Sequence, residues 1–175
     1  KKEPVDLNIA LANKGKFVYS SKGTESAQAF IDEYEDEARA LEIYGIPWQI
    51  TIVMAILESR HGESYLTKHS NNIFSIKDKN GRCNDPNHRH FRVDDDKSLE
   101  SFHVYNSFGD AFIAFKDFLK RNQRYQVCFN AGMDIAGWAR GLDKAGYSTT
   151  SSYGRMLIEL INRHHLTEKV IKYKK

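Results

Sequence analysis

Pro47-Trp48-Gln49-Ile50-Thr51-Ile52-Val53-Met54-Ala55-Ile56-Leu57-Glu58-Ser59-Arg60-His61-Gly62 reads as one helix that is apolar on nearly every side. Pro47 opens it, because the fixed φ of proline suits the first turn and its missing N–H has no helical partner there. Ile50, Ile52, Val53, Met54, Ala55, Ile56 and Leu57 leave no polar stripe, and Gly62 supplies the stop. A helix greasy all round belongs inside a domain or in a bilayer. This run is far shorter than the roughly 20 residues needed to span one. It is expected to be a central core helix.

Working outward, Ala27, Phe30, Ile31, Tyr34, Ala38 and Leu41 recur at helical spacing between acidic residues, with Gly45 as the stop. Residues 1–23 mix charge, glycine and serine and read as an N-terminal arm. On the other side, Asp78, Asn80, Gly81, Asn84, Asp85 and Pro86 are turn formers. Phe91-Arg92-Val93 and Phe102-His103-Val104-Tyr105 are short β-prone runs around Asp94-Asp95-Asp96, and predict a small hairpin or irregular lobe. Ser107 with Asp110 marks a helix start, and Ala111, Phe112, Phe115, Phe118 and Leu119 follow it. Two more helices carry Ile135, Trp138, Ala139 and Leu142, then Tyr153, Met156, Leu157, Leu160 and Ile161. Lys169, Lys172, Lys174 and Lys175 form a basic tail expected to fray. The pattern predicts a mainly α (α+β) chain, with one domain over residues 24–168 and a C-terminal tail over 169–175.

Composition narrows the function. Of 175 residues, 41% are hydrophobic and 28% charged, which suits a folded chain rather than a disordered one. Lys+Arg 26 against Asp+Glu 23 leaves +3, too small an excess to indicate nucleic acid as a partner. Two cysteines, Cys83 and Cys128, exclude a disulfide framework and leave a single bridge open. The chain opens Lys1-Lys2-Glu3-Pro4 with no apolar segment, so no signal peptide is read in it; a removed one would leave no trace.

Glu58 does not belong with the residues before it. Leu57, Met54 and Ala55 are its adjacent and i−3/i−4 neighbours, so one wall around its carboxyl is apolar. It lies near a helix C-terminus, where the macrodipole disfavours an anion, and Glu63 adds like charge. All three push a carboxyl pKa upward. A glutamic acid protonated near neutral pH is what general-acid chemistry requires, for example at a departing glycosidic oxygen. The bland alternative has Glu58 begin the solvent face, paired with Arg60 or Lys68.

Four blocks carry a family resemblance. Ile46-Pro47-Trp48-Gln49-Ile50 with Ala55-Ile56-Leu57-Glu58-Ser59-Arg60-His61-Gly62-Glu63-Ser64 resembles the opening of the bacterial glucosaminidase domains. These are peptidoglycan N-acetylglucosaminidases, among them flagellar muramidase-like enzymes and many autolysins. Asn71-Asn72-Ile73-Phe74-Ser75-Ile76-Lys77, Phe102-His103-Val104-Tyr105-Asn106-Ser107, and Ala145-Gly146-Tyr147-Ser148-Thr149 with Tyr153 are similar to its later motifs, in order, over residues 45–165. The resemblance implies a lysozyme-like helical fold with a small β-hairpin lobe flanking a cleft. It also implies hydrolysis of β-1,4 bonds after N-acetylglucosamine in cell-wall glycan, without a cofactor or metal. It puts the catalytic glutamate on Glu58 and a tyrosine close to the reacting sugar on Tyr147. Substrate contacts are expected at Asn72, Phe74, Thr149 and Tyr153. The second carboxylate is expected at Asp95, with Asp94 and Asp96 beside it as further substrate contacts. It could be a base that activates water or a nucleophile, or the substrate's own 2-acetamido oxygen could take its place with Tyr147 orienting the acetamide, and the sequence does not choose among the three. The implied partner is peptidoglycan, at a secreted, periplasmic or wall-associated location, with an inhibitor or an appended wall-binding module left open. Three departures stand out: Arg60-His61 replaces the frequent Gly-Trp or Gly-Tyr, Ser75 replaces a usual Gly, and the Thr-x-Glu-Tyr motif that carries a second carboxylate in many members is absent, with the run Asp94-Asp95-Asp96 resembling a variant arrangement of Bacteroidetes-type members.

Competing readings are a catalytically silent wall-binding or scaffold module and a lytic transglycosylase. Cys83, His88 and His90 have part of a zinc spacing but lack a fourth ligand. His164-His165 suits helix-end capping. Cys128, between Val127 and Phe129, reads as an inert core thiol or half of a bridge.

Overall fold

The computed structural model describes residues 26–78, 90–95 and 98–174, with the backbone alone for residues 90–95 and 98–99. It is mainly α-helical: α1 (Ala27–Arg39), α2 (Trp48–Ser59), α3 (Tyr65–Ser70), α4 (Phe108–Arg121), α5 (Gln126–Phe129), α6 (Ile135–Lys144) and α7 (Tyr153–Arg163). Two short strands, β1 (His90–Asp95) and β2 (Ser98–His103), run antiparallel with Phe91 opposite Phe102 and Asp95 opposite Ser98.

α2 is the central helix. Trp48, Ile50, Ile52, Val53, Met54, Ala55 and Ile56 are all buried, and α1, α6 and α7 pack around them. Burial of a side chain the size of Ile or Met contributes about 1.5–3 kcal/mol, so this one helix organises much of the core. Its two buried hydroxyls need partners and find them one turn back: Thr51 donates to the Pro47 carbonyl and Ser59 to that of Ala55. Pro47 itself sits one position earlier than expected, at the N-cap.

The helix also ends earlier than its glycine. Arg60 already lies in the left-handed region (φ 50°), followed by His61 (φ 47°) and Gly62 (φ 88°). The N–H groups of Arg60 and His61 both turn back to the Ile56 carbonyl, which closes the helix end. Gly62 is then required twice over, by its φ and because a Cβ there would come within 3.3 Å of the Phe30 and Phe108 rings. Arg60 occupies a conformation that suits glycine at an exposed site. Arg60→Gly is therefore expected to raise stability by up to about 1 kcal/mol, read as a higher denaturant midpoint. A lower midpoint would mean that the arginine side chain holds something in place.

α3 is an element the sequence pattern did not mark. Ser64 caps it by accepting from the Thr67 N–H, and Thr67 and Ser70 are buried on a face with little apolar character. Beyond it, the 71–78 segment carries β2 on its edge. The Asp78 N–H donates to the Ser101 carbonyl, and the His103 N–H to that of Ile76. The tail expected to fray is tied down instead: Asn162 and Ile171 exchange two hydrogen bonds (2.9 and 2.8 Å), and the Tyr173 hydroxyl donates to Asp143. Among the described residues, no helix is long and apolar enough to cross a membrane.

Candidate active site

Glu58 stands in the last turn of α2, partly buried, where three segments converge. From α7, the Tyr153 hydroxyl donates to Glu58 Oε1 at 3.0 Å. From the 71–76 segment, Ser75 Oγ donates to the Glu58 main-chain carbonyl at 3.1 Å. Tyr147 completes the wall, its hydroxyl donating to the Phe74 carbonyl at 3.3 Å and its ring stacked on Tyr153 at 5.5 Å between centroids. The solvent-face alternative for Glu58 does not hold. Lys68 pairs with Glu63 at 2.8 Å, and Glu58 takes its hydrogen bond from a buried tyrosine.

This environment keeps the carboxyl protonated above its usual range. Burial raises the Glu58 pKa, and the hydrogen bonds from Tyr153 and Ser75 oppose the rise without cancelling it. Burial likewise holds Tyr153 and Tyr147 well above the ordinary phenol range, with the neighbouring Glu58 charge acting in the same direction. Both tyrosines are therefore neutral donors wherever Glu58 titrates. Tyr153→Phe removes a donor that favours the carboxylate, so the Glu58 pKa rises further. If Glu58 must be protonated to act, the alkaline limb of the activity profile moves to higher pH in Tyr153→Phe. A limb that stays put or moves down would contradict this coupling.

The other expected site residues are placed differently. Asn72 is fully buried, and its amide is used internally: Nδ2 donates to the Ile76 and His103 carbonyls (2.9 and 3.0 Å), and Oδ1 accepts from the Ile76 N–H (2.9 Å). Phe74 is 1% exposed, stacked on Phe115 at 3.9 Å and edge-on to Phe112 at 5.4 Å. Neither side chain can meet a ligand there. Asn72 pins the end of β2 to the 71–76 segment, and Phe74 backs the wall whose carbonyl holds Tyr147. Thr149 is exposed, while Tyr153 is buried against Glu58 and not on the surface. The backbone of Asp94 and Asp95 lies at the end of β1 away from the 71–78 segment. Asp96 lies outside the described residues, as do Cys83 and His88 of the zinc reading. Cys128 is a buried free thiol, pushed up to about 12 by burial and unsuited to nucleophilic chemistry.

Ser75 is a site residue that pattern reading did not pick out. It adopts φ 50°, which accounts for glycine being usual there, and the hydroxyl it adds reaches Glu58. A shallow groove among Arg39, Trp48, Gln49, Leu166 and Ile171 opens at the opposite end of α2, about 15 Å along the helix from Glu58, too far to share its chemistry.

Comparison with known proteins shows the family and the fold. Residues 34–166 match the family model described as glucosaminidase, mannosyl-glycoprotein endo-beta-N-acetylglucosaminidase. The chain is 24% identical to the peptidoglycan hydrolase FlgJ of Vibrio parahaemolyticus over 78% of its own length and 47% of that protein. It is 28% identical to the exo-glucosaminidase LytG of Bacillus subtilis, over 94% of this chain and 62% of that one. The chain thus spans roughly half of the relatives it matches. Among solved structures, a peptidoglycan hydrolase from Sphingomonas sp. A1 superposes with TM-score 0.63 at 25% identity, covering 84% of this chain and 98% of that one. The catalytic domain of the autolysin Auto from Listeria monocytogenes shares the fold, with TM-score 0.66 at 24% identity, over 95% of this chain and 99% of that one.

Proposed function

Because this chain belongs to the glucosaminidase family of peptidoglycan hydrolases, we propose that it cleaves β-1,4 glycosidic bonds after N-acetylglucosamine within cell-wall glycan strands, with Glu58 as the general acid. The observation that carries the reading is the environment of Glu58, a partly buried carboxyl with a raised pKa and a single neutral phenol donor on Oε1. Protonated, it gives its proton to the leaving oxygen as positive charge develops at the anomeric carbon. After transfer, the Tyr153 hydroxyl stabilises the carboxylate that results, while Ser75 holds the Glu58 main chain. The Tyr153 bond is therefore worth most after the proton has left, as transition-state stabilisation requires.

The glycan would lie against the helical wall of Glu58 and Tyr147, with the β1–β2 ribbon proposed as the second side of a cleft. Asp95 on that ribbon is the proposed base that activates water. Asp95 pairs with Ser98 at the end of the ribbon away from Phe102, the residue bridged to Lys77 of the 71–78 segment. A base in that role gives inversion at the anomeric carbon. A substrate of this kind places the enzyme outside the cytoplasm.

Digestion of purified peptidoglycan, followed by mass spectrometry and anomeric analysis, tests this. Internal fragments with a reducing N-acetylglucosamine end and inverted configuration are expected. A 1,6-anhydro muramic end would assign a lytic transglycosylase. Release from chain ends alone would assign exo cleavage. Retained configuration would transfer the role of Asp95 to the substrate's own acetamide, oriented by Tyr147. Binding without any product would leave a silent wall-binding module.

A further inference from the structure

α7 must start at a fixed place if Tyr153, its first residue, is to hold Glu58. Its own N-cap, Ser152, makes no side-chain capping bond. The cap comes instead from α6: Asp143 Oδ1 accepts from the Gly154 N–H at 2.8 Å, a carboxylate at the positive end of a helix. The other oxygen of Asp143 accepts the Tyr173 hydroxyl from the C-terminal segment. The packing is tight. A Cβ on Gly154 would stand 2.6 Å from the Ala139 carbonyl, 2.7 Å from Asp143 Oδ2 and 2.7 Å from the Tyr173 oxygen. Three segments therefore meet at the residue next to Tyr153, and the segment beyond α7 is itself fixed by the paired bonds between Asn162 and Ile171.

We infer that Tyr173 is a positioning residue: through Asp143 and the Gly154 N–H it fixes the first turn of α7, and thereby holds the Tyr153 hydroxyl on Glu58. The inference rests on Glu58 being the general acid. The C-terminal segment is then part of the catalytic apparatus without touching substrate. Tyr173 is suited to this as a constant donor, since burial and the bond to Asp143 raise its pKa to about 12. The titratable and charged groups around this relay are Tyr147 and Tyr125 beside Tyr153, and Arg140 and Arg155 beside Tyr173.

The test is a double-mutant cycle on the full chain with Tyr173→Phe, Tyr153→Phe and both together, assayed by reducing-end release from purified peptidoglycan across pH. Tyr173→Phe is expected to lower kcat by about three- to tenfold, the effect of one displaced hydrogen bond. It should also move the alkaline limb upward, as Tyr153→Phe does but less. The double variant should match Tyr153→Phe alone, because Tyr173 acts only through it. A Tyr173→Phe protein that melts earlier yet keeps the wild-type limb and kcat would overturn the inference, and so would additive effects in the double variant. If Tyr173→Phe does not fold, Asn162→Ala, which unties the segment at Ile171, is read by the same limb and the same comparison. Glu58→Gln is run beside them. If it stays active, the general-acid reading fails and this inference falls with it; if it is inactive and the limb of Tyr173→Phe is unmoved, this inference fails alone.

Discussion

Glu58→Gln is expected to lower the turnover of peptidoglycan by about 10²–10⁴-fold, the span over which a positioned general acid contributes. The amide keeps the shape of the side chain and can still accept from the Tyr153 hydroxyl, so the fold and the binding of glycan should survive. Stability should change in the opposite direction to activity. The folded-state pKa of Glu58 is raised, chiefly by burial. In the native state it keeps a proton that the unfolded chain has already released. Stability therefore falls as pH rises from the unfolded carboxyl value of 4.5 through the raised folded value. Above that window the native state carries the full penalty of an ionised, partly buried carboxylate, and glutamine has none to carry. The variant is expected to melt at or above the wild-type temperature at neutral pH, and the difference should vanish below the unfolded value. An inactive variant that has simply unfolded would contradict this account, and so would an active one.

Phe74→Ala is expected to destabilise the protein by about 3–5 kcal/mol, as truncation of a fully buried aromatic does. Phe74 fills the space between Phe112 and Phe115, and its carbonyl anchors Tyr147. A ring that stacked on sugar would behave otherwise, losing affinity for glycan while the denaturant midpoint stayed in place. Chemical denaturation of the variant decides between the two. A midpoint unchanged with KM sharply raised would restore Phe74 to the substrate surface.

That contrast shows where reading a sequence reaches its limit. α2 was legible because a helix apolar on all sides has few places to go, and α1, α4, α6 and α7 because each carries a stripe at helical period. The partly buried setting of Glu58 was legible for the complementary reason, as a charge at the end of a run that otherwise excludes charge. Phe74 was not, because an aromatic that lines a groove and one that lies a few ångströms behind it have the same local pattern. α3 left no signal: it is six residues long, and its buried positions are Thr67 and Ser70, whose burial is decided by neighbours distant in the chain. Asn72 carries three hydrogen bonds to main chain that only the folded backbone defines. Ser75 and Arg60 looked like departures in residue type, whereas their meaning lies in a positive φ that no side-chain pattern encodes. The tail read as basic and loose, since the partners of Ile171 and Tyr173 are Asn162 and Asp143 on other elements.

The most direct measurement is the titration of the Glu58 carboxyl itself by carbon-detected NMR of the glutamate-labelled protein, with Glu58→Gln assigning the signal. The midpoint is expected above 4.5, and higher still in Tyr153→Phe. A midpoint at or below 4.5 in the folded wild-type protein would mean that Glu58 is ionised at neutral pH, with no proton to give to a leaving oxygen.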